Sequence, residues 1–120
     1  MSTPHDLILL RDKLRVFAAE RDWEQFHTPK NLSMAMMVEA AELLEHFQWL
    51  TPAESTSLSA KKKLEVGEEL ADVLLYLTRL SDTLGIDLLD AALRKLDKNA
   101  QRYPADLVRG SNKKYSEYQK

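Results

Sequence analysis

The chain has no cysteine, which excludes disulfides, thiolate metal ligands and a nucleophilic thiol and fits a reducing compartment. Glycine and proline are scarce, three and four in 120 residues. That is too few for the repeated turns of an all-β domain, and the prolines fall where helices would begin or end. No apolar run approaches the ~18 residues of a membrane span, and no basic stretch followed by an apolar core and a cleavage site opens the chain. A cytoplasmic protein without a membrane partner is expected. The net charge of −2 argues against a partner that is a nucleic acid polymer. There is also no Ser, Cys or His set suited to a covalent intermediate.

What is present is a chain 44% hydrophobic and 30% charged, the balance of a charge-rich helical protein. Its length predicts one domain over 1–120, with an ordered core at about 4–104 and a basic, polar tail at 105–120. Thr3-Pro4-x-Asp6 predicts a helix starting near Pro4, with Leu7, Leu10, Leu14, Phe17 and Ala18 on its apolar face. Asp22 to Pro29 reads as an ordered loop. A second helix over Asn31 to Phe47 is predicted to turn Met34, Met37, Val38, Ala41, Leu44 and Phe47 to the core. Thr51-Pro52-Ala53-Glu54 is a capping-box pattern. The longest helical pattern, Ala60 to Leu84, carries Leu64, Leu70, Val73, Leu74, Leu77 and Leu80 on its apolar side, with Gly85 as its stop. Asp87 and Asp90 open a fourth helix through Leu88, Ala91, Ala92 and Leu96 to about Ala100, and Pro104 ends it.

Two carboxylate pairs stand out, Glu39-x-x-Glu42 and Glu69-x-x-Asp72, with 26 residues between them. Residues three apart on a helix share a face, so each pair projects two carboxylates in one direction. One such pair is ordinary on an exposed helix. Two pairs beside core positions, without Lys partners four residues away, would bring four like charges together if the helices pack face to face. A divalent cation relieves that repulsion, and an all-carboxylate set favours a hard ion, Mg2+ or alternatively Mn2+. A di-iron bundle would need Glu-x-x-His motifs, which the chain lacks, and His46 reads as a rim or packing residue. Along the pattern from Ala60 to Leu84, Glu65, Glu69, Asp72 and Tyr76 form one stripe.

Trp23, Phe26, Trp49 and Tyr76 are either core residues or a stacking surface for a base. Lys95, Lys98, Asn99 and Arg102 are either a solvated helix end or a cradle for a triphosphate. The basic surplus from Arg94 to Lys114, seven Lys or Arg against two Asp, leaves both readings open.

The ordered set Asp22-Trp23-Glu24-Gln25-Phe26-His27, Lys30-Asn31-Leu32, Glu39-x-x-Glu42, Phe47-Gln48-Trp49, Glu68-Glu69-Leu70-x-Asp72-Val73-Leu74-x-Tyr76-Leu77 and Asn99-x-x-Arg102-Tyr103-Pro104 resembles the MazG-like all-α nucleoside triphosphate pyrophosphohydrolases, and within them the dCTP pyrophosphatase branch. The resemblance covers about residues 7 to 118. It implies an all-α four-helix bundle assembled as a homodimer or homotetramer, with Mg2+ held by Glu39, Glu42, Glu69 and Asp72. It also implies hydrolysis of dCTP or a modified dCTP to monophosphate and pyrophosphate, serving nucleotide-pool sanitation. Trp23, Glu24, Gln25, Phe26, His27, Trp49 and Tyr76 would bind the base and sugar, while Lys95, Lys98, Asn99 and Arg102 bind phosphate. Leu14 departs from vertebrate members of the branch, which carry a His there. The alternatives are a non-catalytic helical interaction module and a broad-specificity pyrophosphohydrolase without cytosine preference.

Overall fold

The computed structural model of the protein describes residues 6–113 and 115–117. All regular structure among them is helical: α1 (Leu7–Glu20), α2 (Pro29–Glu45), α3 (Pro52–Ser55), α4 (Ala60–Thr83), α5 (Leu88–Arg102) and α6 (Ala105–Val108), with 3-10 turns at Glu24–Phe26 and Tyr115–Glu117. The chain divides into two compact units, Met1–Ile86 and Asp87–Lys120. No helix among the described residues is long and apolar enough to cross a membrane.

Side-chain caps explain where the helices begin. The Asp6 carboxylate accepts from the Leu9 amide at 2.8 Å, so α1 starts at Leu7 and Asp6 is its N-cap instead of a first-turn acid. The predicted Thr3-Pro4 start lies outside the described residues. Thr28 caps α2, and Pro29 occupies its first turn, two residues earlier than predicted. Thr51 and Glu54 form the expected reciprocal capping box of α3, and Ser59 caps α4. Gly85, at φ +68, ends α4: its amide donates to the Asp82 carbonyl and the Ile86 amide to the Ser81 carbonyl. This is a Schellman closure, which favours glycine because the left-handed conformation costs a residue with a Cβ.

In the first unit α4 is the common partner, touched by both α1 and α2. Among the described residues the buried ones are Ala18, Leu32, Val66, Thr78 and Ser81. The two hydroxyls are satisfied within α4, Thr78 donating to the Leu74 carbonyl and Ser81 to the Thr78 carbonyl. α1 is tied to α4 by Arg15, which donates to both carboxylate oxygens of Asp82 at 2.7 and 2.6 Å. That contact holds the Asp82 carboxyl below its ordinary range.

The predicted core faces of α2 and α4 are corrected in part, since Phe47, Val73, Leu77 and Leu80 are half-buried as predicted. Met34, Met37, Val38 and Leu44 are exposed, as are Leu64, Leu70 and Leu74. Less exposed as well are Leu32, Met36, Glu39, Glu42 and Leu43 on α2, His46 at its C-cap, and Glu65, Val66, Glu69, Asp72 and Tyr76 on α4. Both helices are apolar on more than one stripe, and the stripe turned inward is the one that carries the acids.

In the second unit, Asp87 caps α5 by accepting from the Asp90 amide at 3.0 Å. The helix ends at Arg102, two residues before Pro104. Leu88 is half-buried, whereas Ala91, Ala92 and Leu96 are exposed. Leu89, Leu93 and Leu96 form an exposed apolar stripe at helical spacing.

Candidate active site

The site is built on the return from α1 into α2 and on the facing stripes of α2 and α4. α1 closes with the same two bonds as α4, the Asp22 amide to the Ala19 carbonyl and the Trp23 amide to the Ala18 carbonyl. Here the left-handed position is held by Asp22, at φ 53, a conformation costing a non-glycine residue about 1–2 kcal/mol. Gln25 secures it by donating from Nε2 to the Asp22 carbonyl and carboxylate at 3.0 and 3.1 Å. The closure swings Trp23 back beside α1, edge-on to Phe17 with ring centres 5.7 Å apart and edge-on to His27 at 6.3 Å. Asn31 then fixes the turn by donating to the Phe26 carbonyl at 3.0 Å.

As residue number rises along the α2 side, its partner on α4 falls. His27 meets Arg79, Glu39 meets Asp72 and Glu69, and His46 meets Glu69, so α2 and α4 run antiparallel. Glu39, Glu69 and Asp72 each offer an oxygen, and these oxygens lie within 4.8 Å of one another. Glu42 stands beside both Glu39 and Glu69. Burial, then Glu42 and the other neighbouring charges, push the Glu39 carboxyl up to about 7. Glu69 is raised for the same reasons, opposed by His46, whose Nε2 stands 3.9 Å from Glu69 Oε1. The other oxygen, Oε2, is buried and has no hydrogen-bond partner among the described residues. An orphaned carboxylate oxygen at such a cluster is costly, and a hard divalent cation with oxygen ligands satisfies it. The residues present therefore fit a divalent metal.

Asp72 also lines a cavity of about 240 Å³, so the acidic cluster and the cavity share a wall. Leu14, Phe17, Leu32 and Leu75 supply its apolar surface, Trp23 and Tyr76 its larger rings, and His27 and Arg79 its polar edge. Arg79 donates from Nε to His27 Nδ1 at 3.0 Å. Burial and then the Arg79 charge lower the His27 pKa.

Of the residues singled out in the sequence, the structure brings Glu39, Glu42, Glu69 and Asp72 to one place and Trp23, His27 and Tyr76 to the adjoining cavity. Glu24, Gln25 and Phe26 form the 3-10 turn beside it without lining it, Glu24 facing a separate hollow bounded by Arg15 and Asp82. Trp49 is 87% exposed on the turn after α2. Lys95, Lys98, Asn99 and Arg102 belong to α5 in the second unit. Sequence reasoning missed Arg79, although it extends the stripe of Glu65, Glu69, Asp72 and Tyr76 at the next helical step. It also missed Leu75 and Asp82.

A family model described as MazG-like matches residues 34–118. The chain is 50% identical over 103 residues to dCTP pyrophosphatase 1 of Homo sapiens, an alignment covering 84% of this chain and 61% of that protein. To dCTP pyrophosphatase 1 of Mus musculus it is 48% identical with the same coverage. The chain thus spans about three fifths of the length of these curated relatives. Among solved structures, a pyrophosphatase from Archaeoglobus fulgidus DSM 4304 matches with a TM-score of 0.78 and 43% identity, covering 87% of this chain and 97% of that one.

Proposed function

The chain belongs to the MazG-like family, and from that premise we propose that it is a nucleoside triphosphate pyrophosphohydrolase, cleaving dCTP or a modified dCTP to monophosphate and pyrophosphate. The observation that carries this reading is the shared wall at Asp72: an acidic cluster with an orphaned oxygen adjoins a cavity edged by Trp23 and Tyr76. Phosphate chemistry and a base would then meet side by side.

On this reading Glu39, Glu69 and Asp72, with Glu42 beside them, would hold Mg2+, or Mn2+ in its place, and the ion supplies Lewis acidity at a phosphoryl oxygen. One of the four acids, or Glu65 one turn away on α4, takes the proton of the attacking water. Trp23 and Tyr76 hold the base in the cavity and His27 bonds its edge. Glu24, Gln25 and Phe26 keep the turn that presents Trp23. Lys95, Lys98 and Arg102 are assigned to the phosphates by charge and Asn99 as an amide donor, where groups that meet charge building on the leaving pyrophosphate act most in the transition state.

The matched span, 34–118, includes residues of both units, which supports counting both within one family domain. Exposed Met34, Met37 and Val38 form an apolar face larger than single scattered residues would make. With Trp49 exposed as well, it supports a homodimer or homotetramer in which a second copy covers that face and completes the Trp49 subsite. The setting is the cytoplasm and the role is removal of unwanted triphosphates.

Pyrophosphate release from dCTP and the other triphosphates, with Mg2+ and with chelator, tests the reading. Release should require the metal and vanish in Glu42→Gln while the helical circular dichroism persists. Unchanged turnover in that variant would refute the site. No release from any triphosphate would leave the helical interaction module, and equal rates on all would indicate broad specificity.

A further inference from the structure

The cavity of about 240 Å³ is smaller than the ~300–1,000 Å³ that encloses a whole small-molecule ligand, so it takes one flat moiety. Its polar edge is a chain of fixed groups. Arg15 grips Asp82 with two hydrogen bonds. Asp82 Oδ2 lies 3.7 Å from Arg79 Nη1, and the Arg79 side chain is 11% exposed. Arg79 Nε in turn donates to His27 Nδ1. An imidazole that accepts at Nδ1 is neutral and carries its proton on Nε2. Arg79 therefore fixes His27 as a donor. A guanidinium has donors only, and among the described residues the Nη2 amino group of Arg79 has no hydrogen-bond partner. Both groups can offer N–H to the cavity, and neither can accept.

We propose that Arg79, directly and through His27, is the specificity-determining residue of this cavity, selecting a nucleobase edge with two adjacent acceptors. N3 and O2 of cytosine form such an edge. In thymine and uracil N3 carries a hydrogen, which would face a donor, and a buried donor facing a donor loses its partner. Arg15 and Asp82 are positioning residues that hold the guanidinium in place. The inference rests on the reading that the cavity receives the base of a triphosphate.

The test compares kcat/KM for dCTP and dTTP in the full chain, wild type against Arg79→Ala. A paired donor contact is worth a discrimination of roughly tenfold to a hundredfold. The dCTP-over-dTTP ratio should fall by that factor, through a higher KM for dCTP. Arg79→Lys keeps a cation beside Asp82 but lacks the planar fork; it should also lose the ratio, and it stands in if the alanine variant does not fold. Nitrogen-15 NMR should show wild-type His27 protonated at Nε2 and bare at Nδ1, a state lost in both variants. A wild type indifferent to the two substrates, a ratio unchanged in the variants, or a His27 proton on Nδ1 each overturns the proposal. If the wild type cleaves no triphosphate, the enzymatic reading fails separately. Binding of dCMP against dTMP, followed at the Trp23 indole resonance, then decides the cavity's preference: tighter dCMP binding that depends on Arg79 upholds it, and equal binding refutes it.

Discussion

Without metal, the acidic cluster should make the fold weaken as the pH rises, opposite to the usual behaviour of carboxylates. Glu39 is pushed up to about 7 in the fold from an ordinary 4.5, by burial and by the carboxylates around it, and Glu69 is raised too. Between those two values the folded chain keeps a proton that the unfolded chain has released. Folding then takes up protons, so this stability is complete below about 4.5 and is lost as the pH climbs through 7. The displacement of Glu39 sets a ceiling of about 3 kcal/mol, which solvent screening of a half-buried side chain reduces to roughly 1–2 kcal/mol. For a domain of this size that is about 4–8 °C in Tm. His27 works against the trend, because its lowered pKa makes the unfolded chain the better proton binder just below 6.5. Glu39→Gln isolates the cluster. In chelator it should melt several degrees above the parent at pH 7.5 and within a degree or so of it at pH 5. Saturating Mg2+ should raise the parent's Tm at pH 7.5, since a ligand at a hundred times its Kd stabilises by about 2.7 kcal/mol, and the gain should shrink at pH 5 as protons compete. Differential scanning calorimetry reads all of this. A Glu39→Gln variant that melts no higher than the parent at pH 7.5 in chelator would refute the reasoning.

Two further outcomes follow from the packing. Leu32→Ala, at a position 2% exposed, should cost about 2–4 kcal/mol in urea unfolding; a loss under about 1 kcal/mol would mean that Leu32 is not a core residue. Asp22→Val should lose about 1–2 kcal/mol because a β-branched residue resists the left-handed conformation, whereas Asp22→Gly should stay within about 0.5 kcal/mol of the parent; equal stabilities for the two would contradict the turn geometry.

Several helix ends are legible in the sequence because local chemistry fixes them: the Thr51 and Glu54 box, Gly85 and Asp87. The caps Thr28 and Ser59 are not, since each sits in a stretch that reads as loop. The acidic stripes were legible for the same reason, being set by helical spacing alone. The orientation of α2 was not. Hydrophobic periodicity assumes one buried surface per helix, and α2 has apolar residues on two, so Met34, Met37 and Val38 were assigned inward although they face out. Arg79 is easily overlooked because a cation near the end of a long helix reads as solvated. Only the antiparallel pairing with the α2 side, which sets it against His27, reveals its place. The turn at Asp22 gave no sign in the sequence, since its left-handed backbone belongs to the closure of α1.

Selection history follows from the inward acidic stripe. A chain selected for persistence alone would fill positions 39, 42, 69 and 72 with apolar residues, gaining burial and losing repulsion. Retention of Glu39, Glu42, Glu69 and Asp72 therefore implies a standing pressure against the fold's own preference. A lineage released from that pressure should lose these four residues early, because their loss carries a gain in stability. Screening random variants for heat tolerance, without regard to activity, should accordingly return substitutions in the seam between α2 and α4 ahead of those elsewhere, and the hardiest survivors would be inert.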